Sequence, residues 1–233
     1  MRAAVWWDVC GAAAVLAAVA LVIAAAMSAG VHRHPVVARQ ATSTSTVVAI
    51  GDSIMDGHGL DPDQAWPAVV SQYNGWHLVN LATDGAGFVT KGDDGSIFAD
   101  QVNEAVEFDP SMVVLSGSSN DLGVSESDVQ ASMISAMHTL RHDLPHTRIV
   151  AVSPVWNESE SPAQLDEIND DMESAVMSVG GVYLDIGRPL LGKAGYMQSD
   201  DVHPTADGQL VIAAAVEQRM HAARIALSGP VRR

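Results

Sequence analysis

Short runs of apolar residues alternate along the chain with longer segments in which apolar residues recur at the spacing of a helix. The short runs predict strands at Val47–Ile50, His77–Leu81, Met112–Ser116, Arg148–Val152 and Val182–Ile186. The longer segments predict helices at Pro62–Tyr73, Ile97–Phe108, Glu126–Leu144, Pro162–Val179 and Thr205–Ala226. The strand runs are mostly apolar rather than alternating, which is typical of strands buried on both faces. We therefore predict an α/β fold of three layers, with a parallel five-stranded sheet between two layers of helices.

The beginning of the chain has a different pattern, because residues 9–31 carry no charge. As a helix they would be roughly 35 Å long at about 1.5 Å per residue, enough to cross a bilayer. We favour an uncleaved membrane anchor, since the apolar core of a signal peptide usually has only about 7–15 residues. The small residues Ser28–Gly30 keep a cleaved signal peptide open as an interpretation, and a buried helix of the globular domain is a third.

The remaining boundaries follow from composition along the chain. Residues 1–31 form the anchor or signal segment, and residues 32–45, with Pro35 and a Ser/Thr run, are predicted to be a linker. Residues 46–227 are the predicted folded domain and residues 228–233 a tail. A chain of 233 residues suits one well-packed domain with such an appendage.

The charge of the chain restricts its possible binding partners more than it restricts its fold. Twelve Lys and Arg residues against 28 Asp and Glu give a formal net charge of −16, and the cationic residues form no cluster. Nothing in the sequence would bind a phosphate backbone, so we expect no nucleic-acid partner. The single cysteine, Cys10, allows no internal disulfide, so stability must come from packing.

Candidate chemistry begins directly after the first predicted strand, with Gly51, Asp52 and Ser53. In parallel sheets ligands bind at the carboxyl ends of the strands. A serine where a strand gives way to a helix exposes its hydroxyl at that edge, beside the N–H groups of the helix start. Ser53 is therefore a candidate nucleophile; the alternative is a simple turn in which Ser53 caps a helix.

A histidine with a nearby carboxylate precedes the last predicted helix. Asp200 lies three residues before His203, and in a tight turn its carboxylate would accept the imidazole N–H and stabilise the imidazolium. His203 would then take the proton of Ser53. Asp201 is a rival for this role, but at a separation of two residues the side chains usually turn apart. An exposed turn without catalytic function is the other interpretation.

Two further polar loops follow the second and third predicted strands. They bring the Gly85 N–H and the Asn120 amide to the same sheet edge. Acyl transfer from an ester creates an oxyanion that needs about two or three hydrogen-bond donors, each contributing roughly 3 kcal/mol. Together with the Ser53 N–H, these groups would supply three.

These segments, taken together and in this order, resemble the SGNH, or GDSL, hydrolase family. The matching residues are Ser53 in GDSI, Gly85, Asn120 in GSSND, and Asp200 with His203 in DDVHP. Ile54 replaces the leucine of the family name, and GSSND is one residue longer than the usual GxND. The resemblance covers residues 47–210 and implies a flavodoxin-like sheet, a triad of Ser53, His203 and Asp200, and an oxyanion hole from Ser53, Gly85 and Asn120. The G-x-S-x-G signature of the α/β-hydrolases is absent from the sequence.

Other residues have two interpretations each. Trp156, after the fourth strand, is a candidate substrate contact or an aromatic residue that closes the core. His58 is a candidate pocket residue or a solvated loop histidine. His138 and His142 share a helix face, but no third metal ligand is evident. The acidic residues between positions 166 and 173 lack the pattern of a calcium loop and are predicted to form an exposed helix face. We expect no metal and no cofactor.

We therefore expect a serine esterase, or lipase, acting on small-molecule, carbohydrate or lipid esters through an acyl-enzyme. Its domain would be extracytoplasmic, either anchored at a membrane by residues 9–31 or secreted after cleavage. Because the histidine must be neutral to act as a base, activity should rise with pH through about 6–7. An O-acyltransferase of envelope glycans or lipids would use the same acyl-enzyme, and a non-catalytic carbohydrate- or lipid-binding module is the alternative of another class.

Overall fold

A computed structural model describes residues 45–225 of the chain, and in them the predicted alternation becomes five strands with helical connections. The strands are β1 Thr46–Ile50, β2 His77–Asn80, β3 Met112–Ser116, β4 Arg148–Val152 and β5 Val182–Leu184. The helices are α1 Ser53–Asp56, α2 Trp66–Asn74, α3 Phe98–Ala105, α4 Glu126–Asp143, α5 Ala163–Ser178 and α6 Ala206–Ala222. Short 3-10 turns occupy Pro62–Gln64, Val106–Phe108 and Ser119–Asp121.

All pairings in the sheet are parallel, and the strand order is β2-β1-β3-β4-β5. This order confirms the predicted flavodoxin-like sheet. From β1 the chain first adds a strand on one side and then continues on the other, so the strand order reverses between β1 and β3. In open α/β sheets the crevice outside the carboxyl ends of such neighbouring strands is where ligands bind. The loops after β1 and β3 meet there.

Alternate residues of each strand enter two separate cores, which explains the unbroken apolar runs in the sequence. On one face, Val48 and Ile50 pack against α3, α4 and α5. On the other, Val47 and Ala49 pack against α2 and α6. Since both faces of the sheet are covered by helices, the predicted three-layer architecture is confirmed.

Most predicted elements begin or end at slightly different residues than those observed, and two of the differences have a clear physical cause. The helix predicted at Pro62–Tyr73 is interrupted by extended backbone at Ala65, whose ψ is 140°. Pro67 is the physical reason: it has no N–H and its ring would clash with the carbonyl four residues earlier, so it fits only in the first turn of α2. The strand predicted to reach Ile186 ends at Leu184, because the Ile186 N–H donates to the Ser153 hydroxyl instead of pairing with β4.

The apolar run at residues 9–31, the tail, and the linker apart from Ser45 lie outside the described residues, so the anchor or signal segment stays a prediction. Within residues 45–225, no helix combines the length and the apolar character needed to span a membrane.

Candidate active site

Ser53 is the first residue of α1, a single helical turn that follows β1 after two residues. Asp52 caps this turn, since its carboxylate accepts the Ile54 N–H at 3.0 Å. The turn ends at Gly57, which adopts the left-handed conformation that glycine tolerates (φ 85°). Ser53 is only 7% exposed. The nucleophile candidate is thus held at the carboxyl edge of the sheet by local backbone geometry.

Two buried glutamine side chains clamp the backbone on either side of Ser53. Gln101 on α3 accepts the Gly51 N–H at 2.9 Å and donates to the Gly51 carbonyl at 3.0 Å. Gln209 on α6 donates to the Ile54 carbonyl at 2.9 Å and accepts the Trp66 N–H at 3.0 Å. Because α3 and α6 cover opposite faces of the sheet, the segment around Ser53 is fixed from both sides.

The second oxygen of Asp52 connects the loop after β1 to the loop after β3. It accepts the Ser118 hydroxyl at 2.7 Å, and the Ser118 oxygen accepts the Asn120 N–H at 3.1 Å. Burial raises the pKa of the Asp52 carboxyl above its usual value. Ser118 belongs to the lengthened GSSND segment, and its hydroxyl is what joins the Ser53 loop to the Asn120 loop.

His203 lies between Ser53 and Asp200, although 150 residues separate it from Ser53 in the sequence. Its Nε2 is 2.9 Å from the Ser53 Oγ, and its Nδ1 is 2.8 Å from an oxygen of Asp200. With the Nδ1 proton donated to Asp200, Nε2 is the acceptor for the Ser53 hydroxyl. The three predicted residues therefore form one hydrogen-bonded chain.

Backbone hydrogen bonds keep the Asp200 carboxyl ionised. The His203 N–H, the largest contributor, and the Val202 N–H both donate to it at 3.0 Å, and with the imidazole they hold its pKa far below its usual range. Asp201 does not share this role: none of the hydrogen bonds within residues 45–225 joins its carboxylate to His203. Asp201 has left-handed backbone (φ 57°), and its carbonyl accepts the Asn157 side chain.

The three predicted oxyanion donors follow β1, β2 and β3 at one edge of the sheet, and each keeps an N–H free of protein acceptors within residues 45–225. Within residues 45–225, the N–H groups of Ser53 and Gly85 donate to no protein acceptor. The Asn120 side chain donates one N–H to the Ala86 carbonyl at 2.9 Å and retains a second. Gly85 has a φ of 75°, a conformation that side-chain-bearing residues rarely adopt.

A fully buried carboxylate that the sequence patterns did not single out holds two of these loops together. Asp121 accepts the backbone N–H groups of Phe88, Val89 and Thr90 at 2.6, 3.1 and 2.9 Å. A Cβ on Gly87 would lie 2.6 Å from this carboxylate, so only glycine fits there. Asp121 directly follows Asn120, and its place in the GSSND motif was the available signal. The sequence signal for Gln101 and Gln209 was weaker: each is an amide side chain on an otherwise apolar helix face.

His58 and Trp156 have different surroundings. The His58 ring stacks on the His203 ring, with centroids 4.1 Å apart and planes inclined by 27°, and 42% of the His58 side chain is exposed. Trp156 is half-buried and lines a cavity of about 230 Å³ at the carboxyl ends of β4 and β5. It therefore does not close the core, and its indole N–H donates to the Ser159 hydroxyl.

The remaining candidates stay apart from this chemistry. His142 pairs with its neighbour Asp143 on the exposed surface. Within residues 45–225, no three His, Cys, Asp or Glu side chains are grouped so as to hold a metal ion. The acidic residues between positions 166 and 173 lie mostly on the exposed face of α5, as predicted.

Comparison with known proteins agrees with this geometry. Residues 49–211 match the model of the GDSL-like lipase/acylhydrolase family. The chain is 28% identical over 184 residues to the GDSL lipase Rv0518 of Mycobacterium tuberculosis, a match covering 72% of this chain and 78% of that one.

Two solved structures share the fold. The psychrotrophic esterase EstA of Pseudoalteromonas sp. aligns with a TM-score of 0.64 at 14% identity, covering 77% of this chain and 98% of that one. The salicylyl-acyltransferase SsfX3 aligns with a TM-score of 0.62 at 23% identity, covering 79% of this chain and 56% of that one. With the family model matching most of the chain, the resemblance read from its motifs is confirmed: the protein belongs to the GDSL-like lipase/acylhydrolase family and is an ester-hydrolysing enzyme.

Proposed function

We propose that the protein is a serine esterase that hydrolyses carboxylic esters through an acyl-enzyme on Ser53. The observation that carries the proposal is the hydrogen-bonded chain from the Ser53 Oγ through both ring nitrogens of His203 to Asp200, with distances of 2.9 and 2.8 Å. This arrangement is the one required to activate a hydroxyl that is otherwise a weak nucleophile.

In the first half of the reaction, the Ser53 Oγ attacks the ester carbonyl carbon while its proton moves to the His203 Nε2. Asp200 stabilises the resulting imidazolium through the Nδ1 proton. The backbone N–H groups of Ser53 and Gly85 and the side-chain amide of Asn120 donate to the oxyanion of the tetrahedral intermediate. As that intermediate collapses, the C–O bond to the alcohol breaks, and the alcohol leaves with the proton held by His203.

In the second half, water takes the place of the alcohol. His203 removes a proton from the water as it attacks the acyl carbon, and the bond to the Ser53 Oγ breaks. Ser53 regains its proton from His203, and the carboxylic acid leaves. The same residues therefore serve both halves, with His203 alternating between base and acid.

The decisive experiment compares the full chain with its Ser53→Ala variant in the hydrolysis of short-chain aryl esters and in labelling by a fluorophosphonate. EstA is described as inhibited by monoethylphosphonate, which supports the choice of a phosphonate probe. We expect kcat to fall by at least about 10³-fold in Ser53→Ala and the label to be found on Ser53. Ser127→Ala, at an exposed position on α4, is the matched control. Comparable turnover in Ser53→Ala, or a label on another serine, would refute the mechanism.

We also propose that the cavity beside Trp156 receives part of the substrate. Asn157 donates to the Asp201 carbonyl at 3.0 Å, so the segment that carries Trp156 is bonded to the turn that carries His203. A volume of about 230 Å³ is small compared with typical ligand pockets of about 300–1,000 Å³, which favours a short acyl group or one sugar ring over a long chain. In a series of aryl esters, kcat/KM should then decline from short to long acyl chains, and Trp156→Ala should raise KM more than it lowers kcat.

An O-acyltransferase is the second candidate, and the observation in its favour is that a fold neighbour, SsfX3, is described as an acyltransferase. In that case a sugar or lipid hydroxyl would resolve the Ser53 acyl-enzyme in place of water. Product analysis with an alcohol acceptor present separates the two, because a hydrolase releases mainly free acid and a transferase mainly the new ester. The non-catalytic binding module is not retained, since the chain belongs to an ester-hydrolysing family.

We further propose that residues 9–31 anchor the protein at a membrane or direct its export, with the esterase domain extracytoplasmic. The uncharged length of this run supports the proposal. Replacing Leu16 and Val22 with lysine in the full chain should move the protein into the soluble cell fraction, since each lysine near the centre of a span opposes insertion by about 3 kcal/mol. Recovery of the unaltered chain as a soluble cytoplasmic protein would contradict it.

A further inference from the structure

A second histidine–aspartate pair lies directly against His203. His58, in the turn after α1, is hydrogen-bonded through its Nδ1 to Asp84, which lies in the loop after β2. Its ring stacks on the His203 ring at a centroid distance of 4.1 Å. The reaction described above uses neither His58 nor Asp84, although both border the groups that it uses.

The His58–Asp84 pair is also connected to the turn that carries His203 and to the loop that carries Gly85. The Gln198 side chain donates to the His58 carbonyl at 2.8 Å, and the Gln198 N–H donates to the His203 carbonyl at the same distance. Asp84 immediately precedes Gly85, one of the proposed oxyanion donors. Its second oxygen is buried without a hydrogen-bond partner in the described part of the chain, so the bond to His58 is what compensates its burial.

The charges around His58 are acidic on every side except that of His203. Asp84 faces it from the loop after β2, Asp56 from α1 and Asp200 from the turn before α6. The hydrogen bond to Asp84 is the largest of the influences that raise the pKa of the His58 imidazole above its usual value. The His203 ring covers one face of the His58 ring, and the Asp52 carboxylate in turn interacts electrostatically with His203.

We propose that His58 is a positioning residue of the esterase site. Its ring, anchored by Asp84, packs on His203 and keeps the His203 Nε2 directed at Ser53. The positive charge on that ring also opposes protonation of His203 before the ester is attacked. This inference rests on the proposed function, because it takes His203 as the general base.

The two parts of this role respond to different substitutions. Packing requires a flat ring at position 58, and the charge requires an imidazolium there. Two like charges in contact disfavour each other, so a charged His58 lets His203 stay neutral at lower pH. His58→Phe keeps the ring and removes the charge, Asp84→Asn keeps the ring and weakens the charge, and His58→Ala removes both.

The test measures the rate at which a fluorophosphonate labels Ser53 between pH 4.5 and 9, which reports the base in the free enzyme without a substrate. In His58→Phe the pH of half-maximal labelling should rise by at least about half to one unit, the shift expected at the dielectric constant of water for the loss of one charge about 4 Å away. Asp84→Asn should shift it in the same direction by less. His58→Ala should show the same shift together with a maximal rate several-fold lower.

The control is His142→Phe, which removes the exposed His142–Asp143 pair near the end of α4, at the edge of the sheet opposite to the site. Its labelling curve should superimpose on that of the unaltered chain. A His58→Phe curve that also superimposes would overturn the proposal, and so would an unchanged maximal rate in His58→Ala. If His58→Phe does not fold, His58→Gln removes the charge while keeping a hydrogen-bond donor for Asp84. A label that is not on Ser53 would instead refute the esterase mechanism itself.

Discussion

Ser53 and His203 lie within hydrogen-bonding distance of each other, yet the two sides of the site are held in opposite ways. The segment around Ser53 is clamped by Gln101 and Gln209, which are 3% and 1% exposed and come from helices on opposite faces of the sheet. His203 lies in a turn before α6 with 17% of its side chain exposed, and its partner Asp200, three residues away in the same turn, is 42% exposed. The proposed nucleophile is thus held by buried side chains of the core, whereas the proposed base lies in a turn with its partly exposed partner.

Because of this difference, substitutions on the two sides should affect the stability and the activity of the protein to different extents. Removing a buried hydrogen-bonding partner leaves the other group unsatisfied and costs about 1–3 kcal/mol for each group. Substitutions at an exposed turn usually change the free energy of unfolding by no more than about 0.5 kcal/mol. Changes on the Ser53 side should therefore impair folding and catalysis together, whereas changes on the His203 side should impair catalysis alone.

The largest effect is expected on the exposed side, from His203→Ala. Without the base, kcat should fall by about 10³–10⁴-fold, because the Ser53 hydroxyl is no longer activated. The free energy of unfolding should change by about 1 kcal/mol or less, since two of the side chains that His203 contacts, Asp200 and His58, are themselves partly exposed. Ester hydrolysis and urea unfolding measure the two quantities. A large loss of stability would remove the contrast between the two sides.

Asn120→Ala should have the next largest effect, as a test of the oxyanion donor supplied by the loop after β3. Removing one such donor costs about 10²–10³-fold in kcat. KM should change little, because the donor acts on charge that develops after binding. Steady-state kinetics of Asn120→Ala beside Asn103→Ala, at an exposed position on α3, provides the comparison. An increase in KM with an unchanged kcat would assign Asn120 to substrate binding instead.

Gln209→Leu tests the buried side directly. The substitution leaves the Ile54 carbonyl and the Trp66 N–H without their buried partner, so the free energy of unfolding should fall by about 2–4 kcal/mol. We expect kcat to fall about tenfold as the segment around Ser53 loosens. Chemical denaturation and ester hydrolysis check both effects. Gln130→Leu, at an exposed position on α4, is the matched control, and an equal loss of stability there would contradict the explanation.

The smallest effect is a pH dependence of stability on the exposed side. Since the folded state holds the pKa of Asp200 far below its unfolded value, its contribution to stability is present above about pH 4 and declines as pH falls below that value. The difference in unfolding free energy between the unaltered chain and Asp200→Asn should therefore shrink from pH 7 to pH 3. Urea unfolding at both pH values measures it, and a difference that grows at pH 3 would have the wrong sign.

Several features of the molecule were predictable because their signals are local. The apolar runs placed all five strands, and the serine after β1 and the Asp200–His203 spacing marked the candidate triad. Residues whose burial depends on distant contacts were not predictable. Gln209 bonds to residues 155 and 143 positions away, and its neighbours in sequence contain no trace of either contact. The interruption of the helix at Ala65 could have been predicted from the sequence, since Pro67 fits only in the first turn of a helix.

The amino-acid sequence by itself determined the class of fold, the family and the identity of the residues that can carry ester chemistry, because periodicity and short motifs are properties of neighbouring residues. Only the tertiary structure decided which of these residues meet. It brought His203 to Ser53, stacked His58 on His203, and buried the amides that hold Ser53. Such contacts depend on how strands and helices far apart in the chain pack together, and residue type alone does not encode that.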